Sequence, residues 1–311
     1  GLRAGAPVVV TVRAPWPWDY FATGQPGDRT PHPQASWASL ATDLPARLGP
    51  LRGTMALPAI PYMLAHLRRR AAFLARADAV IACSGYIARR LAGIVAPGRL
   101  HVLPHMVDID AVERVAATPP ETQVGVPLLL FAGKLEPNKG AGLLPAIFRQ
   151  LRDLGAPPFT LVVAGDGALR APLGRELADL GVDARFLAWA GHDEVLRLMA
   201  RCDLLLFPSA WGEPLSRVLL EAASLGAPTL AMPTGGTPDI IADGVNGALE
   251  ATPQAFAARL RDLLADPAEA RRLGAAARAA ARARYDIPAV IPRYEDLYRS
   301  LDMGGFAAHT Q

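Results

Sequence analysis

The chain is short of the residues that mark several protein classes. It has two cysteines, Cys83 and Cys202, among 311 residues. Each lies in an apolar, strand-like run, so they read as buried thiols rather than a disulfide framework. The histidines, His32, His66, His101, His105 and His192 among them, show no metal-ligand spacing. No Asp cluster dedicated to a metal and no Ser/His/Asp or Cys/His set is evident, so no metal site is expected. No apolar stretch reaches the length of a membrane span, and no signal peptide is visible. A cytoplasmic chain is the expectation. Charge of one sign is also lacking: 32 basic and 29 acidic residues leave a net +3. That balance implies no strong polyanion field and no nucleic-acid partner. No Gly-x-Gly-x-x-Gly follows a first strand, which disfavours a dinucleotide-binding dehydrogenase. The chain starts at Gly1 rather than Met, so a preceding segment is expected to be missing from it.

What is present is a core. Hydrophobic residues make up 51% and charged residues 20%, in a chain long enough for two α/β domains. Ala6 to Arg13 reads as a strand buried on both faces. Ala14 to Pro61 is rich in Pro, Gly and Trp without clear period and reads as a long loop. Tyr62 to Arg76 reads as a helix with Leu64, Leu67, Ala71 and Leu74 on one face. A second strand (Ala77 to Ser84), a helix (Gly85 to Ile94) and a third strand (Arg99 to Asp108) follow. Val112 to Val126, with Pro119 and Pro120, reads as a linker.

The second half alternates regularly. Strands are expected at PLLLFAG, FTLVVAGDG, ARFLAWAG, CDLLLFP and PTLAM, with helices between them. Apolar strands alternating with helices predict parallel sheets covered on both faces. The tail from Pro253 to Leu301 reads as helical, interrupted near Asp266-Pro267 and Asp286 to Pro288.

One stretch concentrates the chemistry. In Pro208 to Gly236, which follows the buried strand-like run CDLLLFPS, a short loop leads to Glu213 and then to a helix carrying Glu221. Pro214 suits a first helical turn. The N–H groups of Leu215, Ser216 and Arg217 would then face an anion, helped by the helix dipole. Glu221 is expected about two turns inside that helix. Carboxylates beside an anion site suit a ligand carrying both hydroxyls and phosphates. GKLEPNKG, Gly133 to Gly140, also follows a strand and opens a helix. It offers Lys134 and Lys139 where a leaving diphosphate would need positive charge. GDG at Gly165 to Gly167 ends another strand.

The Glu213/Glu221 segment resembles the Glu-x7-Glu signature of the retaining GT-B glycosyltransferases of the family-four type. The element order resembles that family over nearly the whole chain. About a hundred residues that usually precede the first strand are absent. The resemblance implies an α/β GT-B fold: two Rossmann-like parallel-sheet domains facing a cleft, the first incomplete. It implies a partial acceptor-side domain over 1–111, a linker over 112–126 and a nucleotide-sugar donor domain over 127–284. A helix crossing back to the first domain, with a tail, would occupy 285–311.

The resemblance also implies residue roles. Glu213 would lie against the donor sugar and Glu221 would bind the ribose hydroxyls. Lys134, standing where the family usually has Arg, and Lys139 would hold the diphosphate. Gly133, Gly165, Leu215 and Ser216 would line the donor site. Trp189, in the loop AWAGH, either stacks on the base or fills the core. Arg13 stands where family members often carry a sugar-facing histidine; it either replaces that group or leaves the contact unmade. Trp16 and Trp18 read either as acceptor contacts or as plugs between the domains. The implied chemistry is sugar transfer from a nucleotide-diphosphate sugar, with retention, without a metal or other cofactor. The acceptor would be a carbohydrate, a lipid-linked sugar or a small molecule. The basic tract His66 to Arg76 reads either as a solvated face or as peripheral contact with the inner face of a membrane. A non-catalytic nucleotide-sugar binder and a GT-B epimerase are the alternatives.

Overall fold

The structure is a computed structural model, and it describes residues 6–21, 35–123, 125, 127–188 and 190–307. The chain forms two compact units. Unit 1 comprises Gly1–His105 and Val290–Gln311; unit 2 comprises Met106–Ala289.

Unit 1 opens with β1 (Val9–Val12). Three helices follow: α1 (Trp37–Leu48), α2 (Pro50–Ala56) and α3 (Ile60–Ala75). Then come β2 (Ala79–Ala82), α4 (Gly85–Leu91) and β3 (Leu100–Val102). The strands pair in parallel in the order β1-β2-β3. β2 is buried throughout, but Val9, Val10 and Thr11 of β1 are only half-buried. Among the described residues β1 is an edge strand, so the expectation of burial on both faces does not hold.

The expected loop over 14–61 is largely helical where it is described. The residues that suggested a loop are helix punctuation. Ser36 caps α1, its side chain accepting from Ser39 N while the Ser39 hydroxyl accepts from Ser36 N, a reciprocal cap. Pro50 opens α2, where its missing N–H costs no bond. Leu40, Leu44, Ile60 and Met63 then bury against one another. Arg70 on α3 donates to the Trp16 and Tyr20 carbonyls and pins the segment after β1. Trp18 is buried within unit 1 beneath the Arg90 guanidinium.

Unit 2 starts with α5 (Ile109–Ala116), a helix that takes in the first residues, 112–116, of the segment expected as a linker over 112–126. Asp108 caps it, and it packs against two later helices of the unit. The order is then β4 (Leu128–Ala132), α6 (Leu144–Asp153), β5 (Thr160–Ala164), α7 (Arg170–Asp179), β6 (Asp183–Leu187) and α8 (His192–Met199). It continues through β7 (Leu204–Phe207), α9 (Arg217–Leu225), β8 (Thr229–Ala231), α10 (Thr237–Ile240) and β9 (Ala248–Leu249). Last come α11 (Pro253–Ala265), α12 (Pro267–Arg284) and α13 (Ile287–Ala307), which passes into unit 1 at Val290. All six strands are parallel, in the order β6-β5-β4-β7-β8-β9. The runs LLLFA, TLVVA and LLLF are buried on both faces, as a helix-covered parallel sheet requires.

The strand order reverses direction between β4 and β7. In an open α/β sheet, the carboxyl ends of the strands on either side of such a reversal border a crevice. The loops after β4 and β7 carry Lys134, Lys139 and Glu213. Among the described residues no helix is long and apolar enough to cross a membrane, and no group of three His, Cys, Asp or Glu could hold a metal ion.

Candidate active site

Four loops at the carboxyl ends of β4, β5, β7 and β8 interlock through their backbones. Gly133 N donates to Ala164 O and Leu135 N to Asp166 O, tying the β4 loop to the β5 loop. A Cβ at Gly165 would lie 2.0 Å from the Gly133 carbonyl oxygen, so only glycine admits that approach. Gly165 therefore does a packing job at the position expected to touch a donor. Gly140 has φ 75° and a Cβ there would lie 1.8 Å from the Pro208 oxygen. That contact seats the β4 loop on the β7 loop. Ala210 N and the Ser209 hydroxyl both donate to Asn138 O. Gly236 N donates to Glu213 O at 2.7 Å, and the Thr234 hydroxyl to Ser209 O at 2.9 Å, adding the β8 loop.

This frame brings Lys139 and Glu213 together. Lys139 Nζ donates to Glu213 Oε1. The Glu213 side chain is 10% exposed and that of Lys139 27%, so the pair sits in a shielded wall of the crevice. The Lys139 ammonium also lies 5.7 Å from the centre of the Trp211 ring. Lys134 is exposed at the end of β4. Lys134 and Lys139 are the only lysines in the chain. In a sequence that otherwise uses arginine for positive charge, their confinement to one loop is a signal the motif reading did not use.

Two buried polar atoms on the same loops, Asn138 Oδ1 and Trp211 Nε1, have no hydrogen-bond partner among the described residues. Thr237 Oγ1, at the start of α10, is a third. An unmet buried polar atom costs roughly 1–3 kcal/mol. Buried groups left this way in a native fold call for an explanation, and a bound polar ligand is one. Neither Asn138 nor Trp211 was picked out from the sequence.

The helix behind Glu213 starts later than expected. Ser216 is the N-cap of α9, its hydroxyl accepting from Leu219 N at 3.4 Å. Pro214 therefore precedes the helix instead of opening it. With Leu219 N capped, the amides at the helix start without an intrahelical partner are those of Ser216, Arg217 and Val218. Leu215 and Ser216 are both buried. Glu221 is the fifth helical residue, little more than one turn in, and is 5% exposed. Its Oε1 meets His192 Nε2 at 2.9 Å and Arg217 Nε at 3.2 Å. The Arg217 contact was legible as an i,i+4 pair. His192, 29 positions earlier at the start of α8, was not, because only the fold brings α8 beside α9.

Trp189 lies outside the described residues. Arg13 lies in unit 1, exposed and directly after β1. The sequence-derived site therefore divides. Gly133, Lys139, Gly165, Glu213, Leu215, Ser216 and Glu221 belong to one interlocked or adjoining set of loops and helix starts in unit 2, with Lys134 at its margin.

Comparison with known proteins agrees with this architecture. HepE from Anabaena, solved in complex with UDP and glucose, superposes with a TM-score of 0.63 at 23% identity. The match covers 76% of this chain and 67% of that one. The glycogen synthase of Mycobacterium tuberculosis is 31% identical over 233 residues, covering 73% of this chain and 55% of that protein. The 2-deoxystreptamine glucosyltransferase of Streptomyces kanamyceticus is 28% identical over 302 residues, covering 86% and 73%. The chain spans about half the length of several curated relatives it matches. The family described as glycosyl transferases group 1 matches residues 118–280, the span that holds every loop of the crevice. The chain has the GT-B fold and belongs to the group 1 glycosyltransferases.

Proposed function

We propose that the protein transfers a sugar from a nucleotide-diphosphate sugar to an acceptor hydroxyl with retention of anomeric configuration, without a metal ion. The observation that carries this is the meeting of Lys139 and Glu213 on interlocked loops, with Glu221 on the helix that follows. The bond from the sugar's anomeric carbon to the diphosphate breaks, and one from that carbon to the acceptor oxygen forms on the same face. The acceptor proton passes to the departing phosphate oxygen, so no protein base is required.

Lys139 and Lys134 stabilise the negative charge that grows on the leaving diphosphate, and the amides at the start of α9 assist. Glu213 receives hydroxyls of the donor sugar once the diphosphate draws Lys139 away. Both protein contacts of Glu221 fall on Oε1, which leaves Oε2 for the ribose. The acceptor is a carbohydrate, a lipid-linked sugar or a small molecule, and the protein works in the cytoplasm. Relatives named for a phosphatidylinositol mannoside and for a lipopolysaccharide acceptor support that range.

Calorimetry with UDP, GDP and ADP tests the site. Glu221→Ala should weaken the preferred nucleotide tenfold or more, as loss of charge-assisted bonds worth roughly 1.5–3 kcal/mol requires. The Lys134→Ala/Lys139→Ala variant should lose the preference for diphosphate over monophosphate. Unchanged affinity in Glu221→Ala would overturn the assignment. Incubation with donor alone distinguishes transfer from epimerisation, and the anomeric proton coupling of the product reports retention.

A further inference from the structure

Unit 2 has a second cavity at the opposite pole of its sheet, where β4, β7 and β8 begin. Its volume is about 700 Å³. Pockets of roughly 300–1,000 Å³ suit ligands of drug-like size. The floor is apolar, with Leu204, Leu263 and Ala270 almost wholly buried and Pro228 beside them. The face of α12 that borders it carries Ala275 and Ala279, whose small side chains leave the space open.

The mouth is cationic. Four arginines line it, Arg201, Arg271, Arg278 and Arg282, against one carboxylate, Asp203. Arg278 and Arg282 are held by Glu113, and Arg282 also by Asp110 and Asp286. Asp203 Oδ2 accepts from Leu128 N at 2.7 Å. Among the described residues Arg201 donates only to the carbonyls of Ala116, Arg197 and Ala117, which satisfy its hydrogen bonds without cancelling its charge. Arg271 has no partner among the described residues. With the paired arginines set aside, two guanidinium groups face one carboxylate. A guanidinium fork matches a carboxylate or phosphate better than any neutral group.

We infer that this cavity is a binding site for a free amphipathic anion, an apolar chain ending in a single carboxylate or phosphate. The chain lies on the leucine floor and the anionic head meets Arg271 and Arg201. The site is separate from the crevice and independent of the proposed transfer reaction. α9 joins the two places: Ser216 caps it at the crevice, and Leu225 and Gly226 border the cavity nine residues on, roughly 14 Å away along the helix.

Titration calorimetry of the whole chain with decanoate, below its micelle concentration, tests the site against 1-decanol and acetate. Decanoate should bind with one-to-one stoichiometry and at least tenfold more tightly than either control. Arg271→Glu, which reverses the free charge, and Ala275→Trp, which fills the opening from an exposed helix position, should each weaken decanoate at least tenfold. Both should keep the wild-type circular dichroism and melting curve. Glu221→Ala should bind decanoate as the wild type does. No binding, equal binding of decanol or acetate, or wild-type affinity in both folded variants would overturn the inference.

Discussion

Unit 2 buries its strands in a core that runs continuously under β4, β5, β7, β8, α6, α7, α11 and α12. Unit 1 gathers Leu40, Leu44, Ile60 and Met63 into one small cluster, and Ala79, Ile81, Leu103 and Leu297 into another. The contrast follows from the strands. In unit 2 the central strands β4, β5 and β7 are four- and five-residue apolar runs in a six-stranded sheet. Those of unit 1 are four residues or fewer in a described sheet of three. A large sheet holds its carboxyl-end loops in fixed register, and the interlocked crevice lies in that unit. In unit 1 these small clusters are supplemented by a reciprocal cap on α1 and by the Arg70 bond to Trp16 O.

The largest expected effect tests the continuity of the unit 2 core. Phe256 on α11 is fully buried within it. Phe256→Ala removes the ring and leaves a cavity in close-packed surroundings, at a cost of about 3–5 kcal/mol. Denaturant melts followed by hydrogen exchange should show protection lost together across β4, β5 and β7. Loss confined to α11 would break the comparison, since the core would then be several local ones.

The next effect is in unit 1. Ile60, at the start of α3, is fully buried but lies in a small cluster bordered by half-buried residues. Those neighbours can relax into the space. Ile60→Ala should cost about 2–3 kcal/mol, the low end of the range for such truncations. Exchange should rise over residues 37–75. A cost equal to that of Phe256→Ala would mean that unit 1 is packed as tightly as unit 2.

Legibility in the sequence followed the same divide. In unit 2 the long apolar runs alternate with helical periods, so five of its strands were readable, while β9, two residues within GVNGALE, was too short to give a pattern. In unit 1, proline and tryptophan masked two helices, α1 and α2, because Ser36 and Pro50 are helix starts that look like loop chemistry when read alone, while α3 was readable from its apolar period over Tyr62 to Arg76. At the site the spacing of Glu213 and Glu221 was visible. The start of α9 was misjudged because Ser216 is the N-cap, which leaves Pro214 before the helix instead of in its first turn. What no local pattern carries is pairing across distant segments. Lys139 with Glu213, and His192 with Glu221, depend on the strand order that places the β4 loop beside β7 and α8 beside α9.

The smallest effect sharpens the comparison where unit 2 stops relying on its core. The segment after α5 has few bulky apolar residues and is held by a carboxylate instead. Glu194 on α8 accepts from Glu121 N at 3.0 Å and from Thr122 N at 2.9 Å. Burial works to raise its pKa from the ordinary 4.5, but these amides, the Thr122 hydroxyl and Arg197 outweigh burial, and the net direction is down. A carboxyl whose pKa is lowered on folding adds stability above its unfolded value, and the contribution is lost as pH falls through the folded value. Glu194→Gln keeps the shape and removes the charge. It should cost about 1–2 kcal/mol at pH 7, as expected for two charge-assisted bonds to a mostly buried group. The difference from wild type should shrink as pH falls below about 4.5 and vanish once the carboxyl is protonated in both states. Urea melts at pH 7, 5 and 3.5 measure it. A difference that stays constant across that range would assign the cost to packing of the side chain, and the segment would then be held as the core is held.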